Sequence, residues 1–384
     1  MLHSYQKPLT GQKVGVVFGS FAPLHQGHLD LIMQAKKEND GGCIVIVCGY
    51  NGDKGEPWMP HNKRYRYVRE FFADDDLVAV YAINDTEINA EKYPEGWKAW
   101  MDEFESIWDK AVSTQVAYDK GVMTDIFPKR KWYVGDENYY NDLTNMWHED
   151  AVLVDRKATN PICATMIRNN PIKHWDKITF PFRRVFSTNI LICGTASEGK
   201  TTLTADLGKY FNAPYSHEYA RDYMRESCVS EWELDGSDYM ALLEGQYNLN
   251  KKLINSPANH GIFFADSDSM VTRMYAEYYS QDDSCAITSS EFEKVAMLAD
   301  ELTVKCKWDR IYLLKPHGVF VDDHERYMAH SGMTEREELY NILCNNIISS
   351  CNWDKVTVLD RGYWENFKII VEDVKEIIEN SKMD

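Results

Sequence analysis

The sequence lacks the features that would place it in a membrane or on a nucleic acid. No stretch approaches the ~20 consecutive apolar residues that cross a bilayer, and the opening MLHSYQKPLTGQK has no apolar core of the kind a secretory leader carries. Runs of basic residues are missing too. With 42 Lys and Arg against 60 Asp and Glu the formal net charge is −18, which argues against a nucleic-acid partner. There is no CxxC pair, and the nine cysteines are odd in number, with Cys43, Cys48 and Cys193 inside apolar runs. Buried reduced thiols in the cytoplasm, without membrane insertion, fit this pattern better than a disulfide framework or a zinc site. Internal repeats and low-complexity tracts are also absent. What is present, 384 residues with 44% hydrophobic and 13% aromatic content, suffices for two ordinary domains.

One stretch organises the rest, Asn189 to Leu203, read as NILICGTASEGKTTL. Ile190 to Cys193 suits a buried strand, and Leu203 to Tyr210 reads as a helix. Between them Gly194-Thr195-Ala196-Ser197-Glu198-Gly199-Lys200-Thr201 fits the phosphate-loop spacing GxxxxGK(S/T). Glycines let such a loop curl until successive backbone N–H groups face a polyphosphate, and the helix N-terminus adds partial positive charge. Lys200 is placed to neutralise the β and γ phosphates of ATP and Thr201 to ligate Mg²⁺. Gly194, Ser197, Glu198, Gly199 and Thr202 are expected to line the same nucleotide. Downstream, Ile262 to Ala265 is an apolar strand that ends in Asp266-Ser267-Asp268. Asp266 is the stronger candidate for the metal, while Asp268 suits either catalysis or the capping of a helix from Ser269. The polar run Phe320 to Arg326 reads as a lid, with Arg326 the candidate arginine for the transferring phosphoryl group and Arg336 its runner-up.

The N-terminal half carries a second phosphate-directed pattern. Val14 to Phe18 is a candidate strand, followed by Gly19-Ser20-Phe21-Ala22-Pro23-Leu24-His25-Gln26-Gly27-His28 and a helical stretch from Leu29 to Glu38. Two histidines three apart at a helix start, placed after a parallel strand, sit at the carboxyl edge of a sheet, where each can donate to a phosphate oxygen. Further strands are expected at Cys43–Cys48, Leu77–Ile83, Trp132–Val134 and Ala151–Val154, with a helical stripe from Trp97 through Phe104 to Ala111. In His61 to Arg69, Arg64 is the candidate for a substrate phosphate. Asn169-Asn170-Pro171 and Pro181 mark a connector, which gives domains 1–182 and 183–384. In the second half Arg310–Leu314 and Val356–Leu359 supply two more strands, so the fold class is α/β, two doubly wound parallel-sheet domains.

The pattern GxFxPxHxGH resembles the HxGH nucleotidyltransferase superfamily, whose second element is matched by Ile162-Cys163-Ala164-Thr165-Met166-Ile167-Arg168. The resemblance makes Gly19, Phe21 and Thr165 ATP-binding residues and His25, His28 and Arg168 catalytic ones, with Cys163 in place of the usual serine. An HxGH domain joined to a phosphate-loop kinase, together with Tyr93-Pro94-Glu95-Gly96-Trp97, Glu218-Tyr219-Ala220-Arg221 and Asp266-Ser267-Asp268, resembles the NadR-type bifunctional proteins of bacteria. That resemblance covers nearly the whole chain. It implies that nicotinamide riboside is phosphorylated to nicotinamide mononucleotide (NMN) and NMN adenylated to NAD, with ATP as co-substrate and Mg²⁺ as cofactor. Arg64, Trp97, Tyr219 and Arg221 then become substrate-binding, and Glu218, Asp266 and Asp268 the carboxylates from which the kinase base is drawn. No helix-turn-helix module is expected in the dozen residues before the first strand, and a homo-oligomer is compatible with the resemblance. Two alternatives stay open at this point: a bifunctional adenylyltransferase-kinase acting on coenzyme A precursors, and a sensor of NAD and ATP without turnover.

Overall fold

The computed structural model describes residues 6–50, 52, 53, 55, 58–119, 122–155, 161–317, 332–350 and 352–380. Contacts divide the chain between Val185 and Phe186 into two units. No described helix is long and apolar enough to cross a membrane.

The N-terminal unit is built on β1 (Lys13–Gly19), β2 (Cys43–Gly49), β3 (Val78–Asn84), β6 (Lys129–Val134) and β7 (Ala151–Leu153). All pair in parallel in the order β3-β2-β1-β6-β7. The near-continuous apolar runs of β1, β2 and β3 are the composition that a sheet covered by helices on both faces requires. The chain winds outward from β1 in both directions, so β1 and β6 flank a topological switch point, and a ligand crevice is expected beyond their carboxyl ends. The helix Trp97–Ala111 buries Trp97, Trp100, Met101, Phe104, Ile107 and Ala111 against that sheet, the stripe read from sequence. Trp132 sits fully buried beneath it, its indole N–H donating 2.9 Å to Glu149.

In the C-terminal unit β8 (Thr188–Gly194), β9 (Tyr215–Ser216), β10 (Ile262–Ala265), β11 (Arg310–Leu314) and β12 (Val356–Leu359) form a parallel sheet in the order β12-β11-β8-β10-β9. All seven residues of β8 are buried, as befits the central strand. Ala265 lies opposite Leu191 in the β8–β10 register, so the ends of the two strands that carry the phosphate loop and Asp266 stand side by side.

Two features differ from the sequence reading. The first helix runs Gln26–Glu38 and so starts three residues earlier than expected, because the His25 side chain caps it. An antiparallel pair, β4 (Gln115–Asp119) with β5 (Val122–Ile126), forms a separate two-stranded sheet that was not anticipated. A short hairpin outside the main sheet leaves only weak alternation to read.

Trp132→Ala should cost about 3–5 kcal/mol, from lost burial, the cavity left behind and an orphaned Glu149. Urea denaturation followed by far-UV circular dichroism measures it. An unchanged first transition would contradict this packing.

Candidate active sites

In the N-terminal unit β1 ends at Gly19, and the chain turns through Phe21, which holds a left-handed φ of 47° with its ring in the core at 1% exposure. Phe21 therefore acts from below: its ring meets His28 edge-on at 5.0 Å. His25 is the N-cap of Gln26–Glu38, its Nδ1 accepting 3.1 Å from the Gly27 N–H. That bond leaves Nε2 as the nitrogen that carries the proton, a donor at a helix N-terminus. The His25 and His28 rings lie 3.8 Å apart at 32°, one over the other. Across the opening, Arg168 donates to the Ala22 carbonyl (2.7 Å) and to Thr165 Oγ1 (3.0 Å), which fixes the guanidinium beside the turn. Cys163 precedes the helix Ala164–Asn169 and makes no side-chain cap, so the oxygen contact a serine would supply there is missing.

His25, His28, Thr165, Arg168 and Cys163 share a cavity of about 650 Å³. Ser20, His28, Tyr50 and Gly135 also border a second cavity of about 530 Å³, so the two form one cleft at the ends of β1 and β6. The second cavity is lined by Gly19 and by a cage of rings, Phe18, Tyr93, Trp97, Trp100 and Tyr139. Phe18 stands 5.3 Å from Trp100 and 5.1 Å from Tyr139, and Trp97 buries its indole N–H with no acceptor among the described residues. One half of the cleft thus suits polyphosphate and the other a flat ring. Arg64 belongs to neither half. It is fully buried, with Nη2 2.5 Å from Asp53 and 3.4 Å from the Cys48 carbonyl, so the structure gives it a structural ion pair where a substrate contact was expected.

In the C-terminal unit Gly194 (φ 146°), Ser197 (φ 63°) and Gly199 (φ 75°) curl the loop after β8. A side chain at Gly194 would meet the Leu314 carbonyl at 2.8 Å, which is why glycine is required there. Gly199 precedes the helix Lys200–Phe211, and Lys200 folds back with Nζ 2.7 Å from the Thr195 carbonyl. Thr201 and Thr202 are exposed at the start of that helix. Glu198 turns away from the loop's opening: it is buried, bonded to Arg336 Nη1 at 2.8 Å and within 2.9 Å of His317 Nδ1. It therefore ties the loop to residues before and after 318–331. Arg326 lies outside the described residues.

The two acids after β10 separate clearly. Asp266 is 1% exposed, and neither carboxylate oxygen accepts a well-formed hydrogen bond. Burial pushes its pKa up to about 6; Lys200 pulls against that shift, Glu218 adds to it, and the Thr201 hydroxyl helps hold it down. Asp268, by contrast, accepts from Met270 N (3.0 Å), Val271 N (3.3 Å) and Trp308 Nε1 (2.8 Å). Its oxygens are taken, so of the two roles the sequence left open it fills the cap of the helix Ser269–Tyr279. Glu218 and Arg221, 3.4 Å apart, line a narrow cavity together with Tyr239, Tyr275 and Tyr279. Tyr219 is not in that wall: its ring lies over the backbone at Gly245, where a Cβ would come within 1.9 Å of it. Tyr239, Tyr275, Tyr279 and Glu231 are not among the site residues expected from sequence; the three tyrosines lie on helices, where the spacing of a cavity wall is also that of a packed face.

Comparison with known proteins covers both units. The Cytidylyltransferase-like family matches residues 16–170 and the AAA domain family residues 189–366. Two curated relatives, each a trifunctional NAD biosynthesis/regulator protein NadR, come from Escherichia coli and Salmonella typhimurium. Both are 28% identical over 97% of this chain and 85% of their own length. The crystal structure of a NadR protein in complex with NR is 31% identical, with a TM-score of 0.80 over 97% of each chain. A second, of NadR protein in complex with NAD and AMP-PNP, is 32% identical, with a TM-score of 0.78 over 97% of this chain and 98% of that one.

The contrast between Asp266 and Asp268 is testable without ligand. The folded pKa of Asp266 lies above the ordinary carboxylate value of 3.8. Hence the fold binds this proton more tightly than the unfolded chain, and the stability it contributes is lost as pH rises through about 6. At pH 8 Asp266→Asn should stabilise the ligand-free protein by on the order of 1 kcal/mol, whereas Asp268→Ala should destabilise it by about 1–3 kcal/mol. Differential scanning calorimetry at pH 5 and 8 decides; equal losses for both variants would refute the distinction.

Proposed function

As this chain belongs to the NadR family, we propose that it is a bifunctional enzyme of NAD salvage, a ribosylnicotinamide kinase joined to an NMN adenylyltransferase. Its C-terminal unit transfers the γ-phosphoryl group of ATP to nicotinamide riboside, and its N-terminal unit transfers AMP from ATP to the resulting NMN, releasing pyrophosphate. The observation that carries this reading is the presence of two separate triphosphate-type sites in one chain, each beside a ring-lined cavity. The Phe18, Trp97 and Trp100 cage favours a flat pyridine ring over the extended, flexible arm of a coenzyme A precursor. A sensor without turnover has no use for Lys200, Thr201 and a buried Asp266 aligned on one strand edge.

In the kinase unit the riboside 5′-hydroxyl attacks the γ-phosphorus, and its proton passes to a carboxylate. Glu218 is assigned that role, since it lines the substrate cavity and its charge reaches Asp266. Lys200 exchanges its bond to the Thr195 carbonyl for the β and γ phosphates. Asp266 and Thr201 fit Mg²⁺: two buried carboxylate oxygens without hydrogen bonds beside a hydroxyl form the sparse all-oxygen donor set this ion takes alongside substrate phosphates. Bound there, the metal would neutralise the charge on the transferring phosphoryl group.

In the N-terminal unit the NMN phosphate is itself the nucleophile and attacks the α-phosphorus, so no covalent enzyme intermediate is required. His25 Nε2–H, His28 and Arg168 stabilise charge growing on the triphosphate, with Thr165 steadying Arg168.

Lys200→Ala should slow NMN formation from riboside about 100-fold or more, yet leave adenylylation of supplied NMN within about twofold, because the two chemistries use different loops. His28→Ala should do the reverse and let NMN accumulate. Mass spectrometry of products from riboside plus Mg²⁺-ATP reads both, and loss of both activities in either variant would overturn the two-site reading.

A further inference from the structure

The cavity in the C-terminal unit is lined by Glu218 and Arg221, 3.4 Å apart, and by Glu231, Tyr239, Tyr275 and Tyr279.

Glu231 is held firmly. It opens the short turn Glu231–Glu233, which is closed by a reciprocal cap between Ser230 and Glu233. The Trp232 carbonyl accepts from Ala286 N at 2.8 Å, and Leu234 is buried directly after the turn. Glu231 Oε2 accepts from the Tyr279 hydroxyl at 3.2 Å. Tyr275 and Tyr279 present near-parallel rings, 16° apart with centroids at 6.3 Å. Tyr239 is 2% exposed, and its phenolic oxygen is buried with no partner among the described residues, so the wall offers an unsatisfied donor. Burial and then the charge of Glu231 push the Tyr239 and Tyr279 phenols well above their ordinary range, so both stay neutral donors.

We propose that Glu231, set among Tyr239, Tyr275 and Tyr279, is the specificity-determining residue of the kinase cavity, selecting a nucleoside whose flat base carries a fixed positive charge. This rests on the riboside-kinase reading above and adds to it the physical basis of base choice. An N-ribosylated pyridinium is a permanent cation, and a carboxylate with electron-rich ring faces beside it lowers that cation's energy. A neutral base of the same outline draws nothing from Glu231 and still has to desolvate it. The orphan Tyr239 hydroxyl suits the base's polar substituent, since a site that hydrogen-bonds one group rejects bases lacking it.

The experiment compares nicotinamide riboside with its reduced, uncharged dihydro form, which keeps the ribose and the carboxamide. Steady-state kcat/KM is measured for both with Mg²⁺-ATP in wild type, Glu231→Gln and Glu231→Asp, each checked for an unchanged unfolding temperature. Wild type should prefer the cation. Glu231→Gln should lower the cation-to-neutral ratio about 10- to 100-fold, chiefly through KM for the cation, and Glu231→Asp should restore most of it. A ratio unchanged in Glu231→Gln, or an equal fall on both ribosides, would overturn the assignment while leaving the kinase reading intact. Wild-type protein that phosphorylates neither riboside would sink the kinase reading itself, and the assignment with it.

Discussion

A triphosphate brings several negative charges to whatever holds it, and protein can meet them cheaply only where backbone N–H groups and a few fixed cations converge. Both units meet that constraint at the carboxyl ends of their central strands. After β1 the groups are His25, His28 and Arg168; after β8 they are the loop amides and Lys200. The rest of each unit serves this geometry. Buried strands keep the sheet edge rigid, and a side chain anchors each turn: the Phe21 ring meets His28 edge-on, and Glu198 ties its loop to Arg336. An acid such as Glu198 next to a polyanion site would be costly if bare. Arg336 offsets its charge, the His317 backbone N–H donates to it, and burial keeps it out of the opening.

Much of this was legible from the chain alone, for identifiable reasons. Strand runs such as Cys43–Gly49 and Thr188–Gly194 are apolar enough to be read without ambiguity, and each phosphate motif combines fixed residues with a strand before and a helix after. What escaped was whatever depends on a partner distant in sequence. Arg64 looked like a free cation because nothing local announces Asp53, and Glu198 looked like a nucleotide contact because Arg336 lies 138 residues away. Tyr239 shows the converse limit. A side chain that lines a cavity and one that fills a core share the same helical spacing, and only the three-dimensional arrangement tells them apart.

Asp266 and Asp268 make the same point within three residues. Two residues apart, they would share a face of a continuing strand; but β10 stops at Ala265 and Asp268 caps the next helix, so one carboxylate meets Lys200 and the loop while the other meets Trp308 and that helix. Burial pushes both to about 6, so perturbed ionisation alone does not identify the functional acid. The distinction comes from hydrogen bonding. Asp268 has three donors, and Asp266 has no well-formed one. A buried carboxylate without donors destabilises the empty protein, and it persists where a ligand completes it.

The distribution of rings between the two units has an optical consequence. Trp97 and Trp100 border the N-terminal cleft, whereas the described wall of the C-terminal cavity holds tyrosines and no indole. Indole emission is readily quenched by an electron-poor ring at contact distance. The protein therefore carries two of its indoles at one of its two cavities, and quenching of Trp97 and Trp100 reports on which molecule occupies that one.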